Sequence, residues 1–231
     1  MTNKVAIVTG ASGNLGQAVV NKFLAEGYKV IGTIIPNDPV AISFTHEYFE
    51  TTVVDLLDDE NSNQFIEHII GKYGRIDVAV LTVGGFAVGS IAETKTADVM
   101  KQYRLNFETA YNIVRPAFIQ MMKQESGRIF MIGSRPGLEA IHGKGMIAYS
   151  IAKSSLFHLA GLMNEESAGT DVITTVVVPG TIDTAQNRKS MPDADVEKWV
   201  TPQSISDIIF YYSTEEANVI REPILKLYNK S

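Results

Sequence analysis

The sequence predicts a doubly wound α/β domain, with seven parallel strands in one sheet, helices on both faces, and a single unit over residues 1–231. Three observations carry this reading. Seven short runs are continuously apolar and rich in Val and Ile, as strands buried on both faces are. Longer stretches with helical spacing lie between most of them, and a glycine-rich turn joins the first run to the first helical pattern.

Taken in order, 4–9 is the first strand, and the helix over 15–26 shows its buried stripe at Ala18, Val19, Phe23 and Leu24. The second strand spans 29–35. The segment 36–50 holds Pro36 and Pro39, which leave room only for a short or irregular crossover. The third strand, 51–54, runs into Asp55 and Leu56, and Asp58-Asp59-Glu60 starts the helix over 61–73 with acids at its positive end. The fourth strand, 76–83, exits through Thr82-Val83-Gly84-Gly85. A long helix over 96–123 follows, then a fifth strand over 128–133 that ends at Ser134, a helix over 147–167, and a sixth strand over 171–178. The last helix is 202–212 and the last strand 223–228.

Composition excludes several function classes. At 231 residues, 45% apolar and 20% charged, the chain reads as one globular domain of the cytoplasm, with no apolar stretch long enough to span a membrane. Zero cysteines rule out disulfides, thiolate metal sites and cysteine nucleophiles. His46, His68, His142 and His158 lack metal-ligand spacing, so no metal is expected. A formal net charge of −6 argues against a nucleic-acid partner.

Polar residues gather at the carboxyl ends of the strands, where open α/β sheets bind ligands. Gly10-Ala11-Ser12-Gly13-Asn14-Leu15-Gly16 lies between a buried strand and a helix start. There the backbone can approach a pyrophosphate, and unpaired helix N–H groups can face its charge. Tyr149-Ser150-Ile151-Ala152-Lys153 puts a phenol and an ammonium on one helix face, just over one turn apart. A free phenol titrates near pH ~10 and is a poor acid at neutral pH, but a fixed cation nearby favours its anion. Asn106, an uncharged amide in a helix interior, is a local misfit.

These residues together resemble the short-chain dehydrogenase/reductase family over essentially the whole chain. The resemblance implies a Rossmann-type fold and an NAD(P)-dependent oxidoreductase that interconverts a small carbonyl and alcohol. It makes Tyr149 the acid/base, and Lys153 the cation that lowers its pKa and holds the nicotinamide ribose. Ser134 would hydrogen-bond the substrate oxygen, and Asn106 would support a water linking Lys153 to solvent. Cofactor contacts are implied at Gly10, Ser12, Gly13, Asn14, Leu15 and Gly16, at Asp55 and Leu56 beside the adenine, and at Gly84 and Gly85. Tyr149, Lys153, Pro179, Gly180, Thr181, Ile182 and Thr184 complete the implied set.

The chain departs from the family pattern twice. Asn14 stands where the middle glycine of the turn is usual, and Thr82-Val83-Gly84-Gly85 replaces Asn-Ala-Gly, removing an amide that would brace the strand. The stretch after the sixth strand is similar to dihydropteridine reductases and to uncharacterised bacterial members of the family. Animal dihydropteridine reductases, by that resemblance, lack the active-site serine, so Ser134 favours an ordinary carbonyl or alcohol. A dihydropteridine-reductase-like enzyme and a non-catalytic nucleotide-binding homologue remain as alternatives. Arg188 and Lys189 read equally well as a solvated basic turn. Substrate choice lies in 85–95, 135–145 and 181–200.

The second strand ends in Gly32-Thr33-Ile34-Ile35-Pro36-Asn37, with no carboxylate before Asp38. An acid there would favour NAD, so its absence, with Thr33 or Asn37 as donors to a 2′-phosphate, leans slightly to NADP. The helices 96–123 and 147–167 carry more apolar surface than one face against a sheet can bury. Met100, Tyr103, Phe107, Tyr111, Val114, Phe118, Leu156, Phe157, Leu159, Leu162 and Met163 are the residues concerned, and they predict a homodimer or homotetramer.

Overall fold

The computed structural model describes residues 4–38 and 45–230. Its seven strands are β1 (Val5–Thr9), β2 (Lys29–Ile34), β3 (Phe49–Val53), β4 (Val78–Leu81), β5 (Ser126–Ile132), β6 (Asp171–Pro179) and β7 (Ile224–Leu227). They form one sheet in the order β3-β2-β1-β4-β5-β6-β7, and every pairing is parallel. The chain therefore winds outward twice from the centre. The reversal falls between β1 and β4, which places a crevice above their carboxyl ends.

Strand side chains alternate between two cores, as the pleat requires. Val5 and Ile7 of β1, Ala79 and Leu81 of β4, and Ile129 and Met131 of β5 pack with α2 (Asp59–Tyr73), α4 (Thr109–Gln124) and α6 (Ile147–Glu166). Ala6, Val8, Val78, Val80, Phe130 and Ile132 face the other way, against α1 (Asn14–Ala25) and α8 (Pro202–Tyr211). Both neighbours in each run are thus buried, which is why the sequence shows apolar runs and not an apolar–polar alternation.

Three expectations need correction. The third strand is not buried: Val53 is 59% exposed, because β3 is an edge strand with β2 as its single partner. The long helix over 96–123 is α3 (Thr96–Tyr103) and α4 joined by a π-helical turn over Arg104–Glu108. The stretches 135–145 and 181–200, expected as loops, contain helices, α5 (Arg135–Leu138) and α7 (Ala185–Ser190), along with 3-10 turns over Ala140–His142 and Val196–Lys198. The irregular crossover expected over 36–50 falls partly on 39–44, outside the described residues; its described flanks hold turns.

The surplus apolar set divides as expected. Val114, Phe118, Leu156 and Met163 are buried in the core, while Met100, Tyr111 and Leu162 stay exposed. Tyr103, Phe107 and Tyr111 stack in a ladder along one side of α3 and α4, with centroids 4.8 and 5.8 Å apart. Among the described residues no helix is long and apolar enough to cross a membrane.

Candidate active site

The glycine turn closes tightly on itself. Gly10 adopts φ +64°, and its carbonyl accepts from the Gly13 N–H at 3.0 Å. Gly13 is the N-cap of α1 and supplies no side chain to its first N–H groups, and the first turn carries no acid. A Cβ on Gly16 would lie 2.1 Å from the Gly10 oxygen. Only glycine permits this approach of helix to turn, and the result is a cradle of helix N–H groups suited to a pyrophosphate. Asn14 in place of the usual glycine does no harm, since it is the first residue of α1, exposed, and has no positive φ. Gly16→Ala should therefore cost about 2–3 kcal/mol of stability, because the clash is with backbone that cannot swing aside. An unchanged urea midpoint in that variant would contradict the cradle geometry.

The end of β4 is braced after all. Thr82 Oγ1 donates to the Thr9 carbonyl at 2.6 Å, and the Thr82 N–H donates to Thr9 Oγ1 at 3.1 Å, so a hydroxyl does the work of the missing amide. Beyond it, Asn106 clamps Gly85 from both sides. Its Oδ1 accepts from the Gly85 N–H and its Nδ2 donates to the Gly85 carbonyl, each at 3.0 Å. The π-helical turn makes this possible by rotating Asn106 out of regular register, so that Nδ2 also reaches the Gln102 carbonyl and Oε1. The local misfit in the sequence is thus a buried residue, 1% exposed, with its hydrogen bonds made.

Ser134 lies two residues past β5 and caps α5, its Oγ accepting from the Gly137 N–H at 3.2 Å. Tyr149 lies in the first turn of α6, with the ring of Phe86 edge-on at 5.2 Å. Burial pushes the Tyr149 phenol above its ordinary value, and its hydrogen bond with Ser134 pulls the other way. Lys153, one turn on, is 5% exposed, and its Nζ donates to the Ile132 carbonyl at 2.6 Å. Burial pushes its pKa down to about 8. One ammonium hydrogen of Lys153 is given to the Ile132 carbonyl of β5, and the hydrogen bond with Ser134 favours the phenolate. A Cβ on Gly84 would meet Asn106 Oδ1 at 2.8 Å and Lys153 Nζ at 3.1 Å, so Gly84, Asn106 and Lys153 share one small space.

The remaining sequence-derived residues divide. Asp55 is exposed at the end of β3, where its Oδ1 accepts from the Leu57 N–H. The Leu56 side chain belongs to the core, and its carbonyl takes the Asn112 amide at 2.9 Å. Pro179, Gly180 and Thr181 continue from β6, with Gly180 tied to Leu227 and Thr181 to Val200. Ile182 bridges to Val200 and Thr184 caps α7, so the segment over the crevice is pinned at several points. Arg188 is no loose basic turn residue, because it forms a two-pronged pair with Asp183 at 2.6 and 2.8 Å.

Sequence reading missed Phe86. The available signal was an aromatic just past the glycine pair at a strand exit; in the structure it is 64% exposed. A cavity of about 590 Å³ opens next to it, between the 87–94 loop and α3, reaching Gln102 and Ala148. A cavity of similar size lies at the amino-terminal end of β6, around Thr170 and Arg221, away from these residues.

A crevice at the strand-order reversal, a phosphate-ready turn and a buried lysine beside a tyrosine form a setting that can be compared with known proteins. The sequence model described as short chain dehydrogenase matches residues 4–195. The chain belongs to the short-chain dehydrogenase family. It is accordingly an NAD(P)-dependent oxidoreductase, built on the family's fold. An acetoacetyl-CoA reductase from Acinetobacter sp. (strain RA3849) is 28% identical over 77% of this chain and 73% of its own length. A cyclic-di-GMP-binding biofilm dispersal mediator protein of Escherichia coli (strain K12) is 26% identical over 95% of this chain and 93% of its own. Among solved structures, a short-chain oxidoreductase from Burkholderia thailandensis superposes with a TM-score of 0.85 at 25% identity, over 99% of this chain and 92% of its own.

Proposed function

We propose that this short-chain dehydrogenase interconverts a small carbonyl and its alcohol, with Tyr149 as acid/base, Ser134 and Lys153 as its immediate partners, and Asn106 as a positioning residue. The observation that carries this reading is the buried Lys153, pushed down to about 8, beside a Tyr149 that shares a hydrogen bond with Ser134. The glycine cradle, the bare N-terminus of α1 and the space above Gly84 suit a dinucleotide's pyrophosphate and ribose. When bound, the nicotinamide cofactor supplies or removes the hydride at the reacting carbon. The chain handles the proton. In reduction the Tyr149 O–H bond breaks as the proton goes to the substrate oxygen, and Ser134 holds that oxygen and then steadies the phenolate. Lys153, drawn toward Gly84 and Asn106, offers its charge to a ribose, and Asn106 keeps the Gly84–Gly85 edge from shifting.

A binding-only reading draws on the name of the E. coli relative. Against it stands Tyr149, hydrogen-bonded to Ser134, since a protein that only holds a nucleotide has no proton to move and no need of a phenol so placed. The name of the Acinetobacter relative supports a keto substrate. The test is a panel of small ketones, aldehydes and alcohols with NADH, NADPH and their oxidised forms. Substrate-dependent change in dihydronicotinamide absorbance is expected; tight dinucleotide binding with no turnover on any member favours the binding-only reading.

The exposed Met100 of α3, Tyr111 and Ile119 of α4, and Ile151 and Leu162 of α6 support a homodimer or homotetramer joined through these helices. Light scattering at micromolar concentration should give at least twice the monomer mass, and a monomer mass would contradict this.

A further inference from the structure

Gly137 meets both Ser134 and Lys153. Its N–H donates to Ser134 Oγ at 3.2 Å, and its Cα sits so close to α6 that an added Cβ would stand 2.6 Å from the Lys153 Cβ. The same Cβ would lie 2.9 Å from the Lys153 carbonyl carbon and 3.0 Å from the Ser154 nitrogen. These last two are backbone atoms of a 20-residue helix whose Ala152, Lys153 and Leu156 are buried, so α6 cannot give way. Gly137 has no positive φ, so it supplies clearance and not a special backbone conformation. The other side of α5 is tied down as well. The Arg135 guanidinium lies over the Tyr228 ring at 3.7 Å, and Glu139, just past the helix, pairs with Lys226 of β7 at 3.3 Å.

A serine hydroxyl has one hydrogen to give and two lone pairs with which to accept. The Gly137 N–H fills one lone pair of Ser134, and a hydroxyl that already accepts one hydrogen bond is a stronger donor of the next. Its own hydrogen is left for the Tyr149 oxygen, with which Ser134 shares a hydrogen bond, or for a substrate oxygen in the same place. Ser134 is also the N-cap of α5, so a side chain at 137 that pushed α5 off α6 would carry the hydroxyl away with it. Misplacing a reacting group by about 1 Å can cost ~10²-fold in rate.

We propose that Gly137 is a positioning residue for the reaction: its N–H orients the Ser134 hydroxyl as a donor to the Tyr149 and substrate oxygens, and its missing side chain lets α5 rest close enough to Lys153 for that bond to form. The inference rests on the carbonyl–alcohol reading, with Ser134 as partner of Tyr149. The test is a double-mutant cycle of Gly137→Ala and Ser134→Ala, read as kcat on the best substrate of the ketone and aldehyde panel, with NADH and NADPH titrated by nicotinamide fluorescence. Gly137→Ala should lower kcat by roughly tenfold or more while dinucleotide affinity stays within about threefold. In the Ser134→Ala background it should add less than about twofold, because a residue that acts through Ser134 then has nothing to act on. Wild-type kcat in Gly137→Ala, or two losses that multiply, overturns the assignment and leaves the carbonyl–alcohol reading intact. A wild type that turns over no member of the panel overturns both. Should Gly137→Ala fail to fold, the Gly137 amide proton resonance replaces it as the readout. That resonance should move upfield in Ser134→Ala, and it should also move in Tyr149→Phe, which keeps the ring but takes the acceptor from the Ser134 hydroxyl. An amide resonance that stays put in Tyr149→Phe shows that Ser134 only caps α5, and overturns the proposal.

Discussion

Tyr149→Phe is expected to lower carbonyl-dependent turnover by roughly 10²- to 10⁴-fold, the usual worth of a positioned proton donor. The substitution removes one oxygen and keeps the ring, so the edge-on contact with Phe86 survives. Dinucleotide affinity should stay within about threefold, since the glycine turn and Lys153 are untouched. Steady-state rates beside a fluorescence titration measure both. Rates like those of the wild type would sink the assignment, and a parallel loss of binding would show that the phenol's main task is to hold the cofactor. Ser134 gives the same argument a second handle. Its hydrogen bond pulls the phenol's pKa down against the effect of burial, so Tyr149 depends on a neighbour that is also meant for the substrate.

Lys153→Met should abolish turnover and weaken dinucleotide binding, and it carries a stability signature that an exposed lysine would lack. Burial depresses the lysine's pKa from 10.5 to about 8 in the folded chain. Between those values the unfolded chain holds more protons than the folded one, so this group's contribution to stability rises with pH. Below about pH 8 the folded protein bears the whole cost of the buried ammonium. Relative to Lys153→Met, the wild type should gain about 2 kcal/mol of unfolding free energy between about pH 7 and about pH 9.5. Urea unfolding of both proteins across that range measures the difference. Parallel curves would mean that Lys153 titrates as an exposed lysine does, and the site's electrostatics would have to be redrawn.

The sheet was legible because both faces of its central strands are buried. Val5 to Thr9 and Val78 to Leu81 had to be apolar throughout, and no helix of that length would show the same run between turn signals. The outermost strand was misread for the same reason in reverse: a run of β-branched residues such as Thr51, Thr52 and Val53 suits an edge strand equally well, and local sequence does not count its neighbours. Asn106 was visible as an oddity, but the π-helical turn that aims it at Gly85 depends on contacts with Gln102 and β4 that no window of sequence contains. The brace at Thr82 was missed because a hydroxyl bonded across strands leaves no local mark. The contact of Asp38 with Ser12 escaped because distance along the chain from the end of β2 hides a return in space. The bond from Lys153 to the Ile132 carbonyl of β5 was not legible, because spacing along a helix does not show which strand end lies beneath it.

The central claim is that Tyr149 protonates a substrate oxygen while a hydride reaches the adjoining carbon. Single-turnover reaction of the enzyme with a dihydronicotinamide dinucleotide deuterated at its transferring position, followed by mass analysis of the alcohol, tests it most directly. The account predicts alcohol carrying one deuterium on the former carbonyl carbon, formed by the wild type and not by Tyr149→Phe on the same timescale. Alcohol without deuterium, or labelled alcohol formed equally fast by Tyr149→Phe, would contradict it.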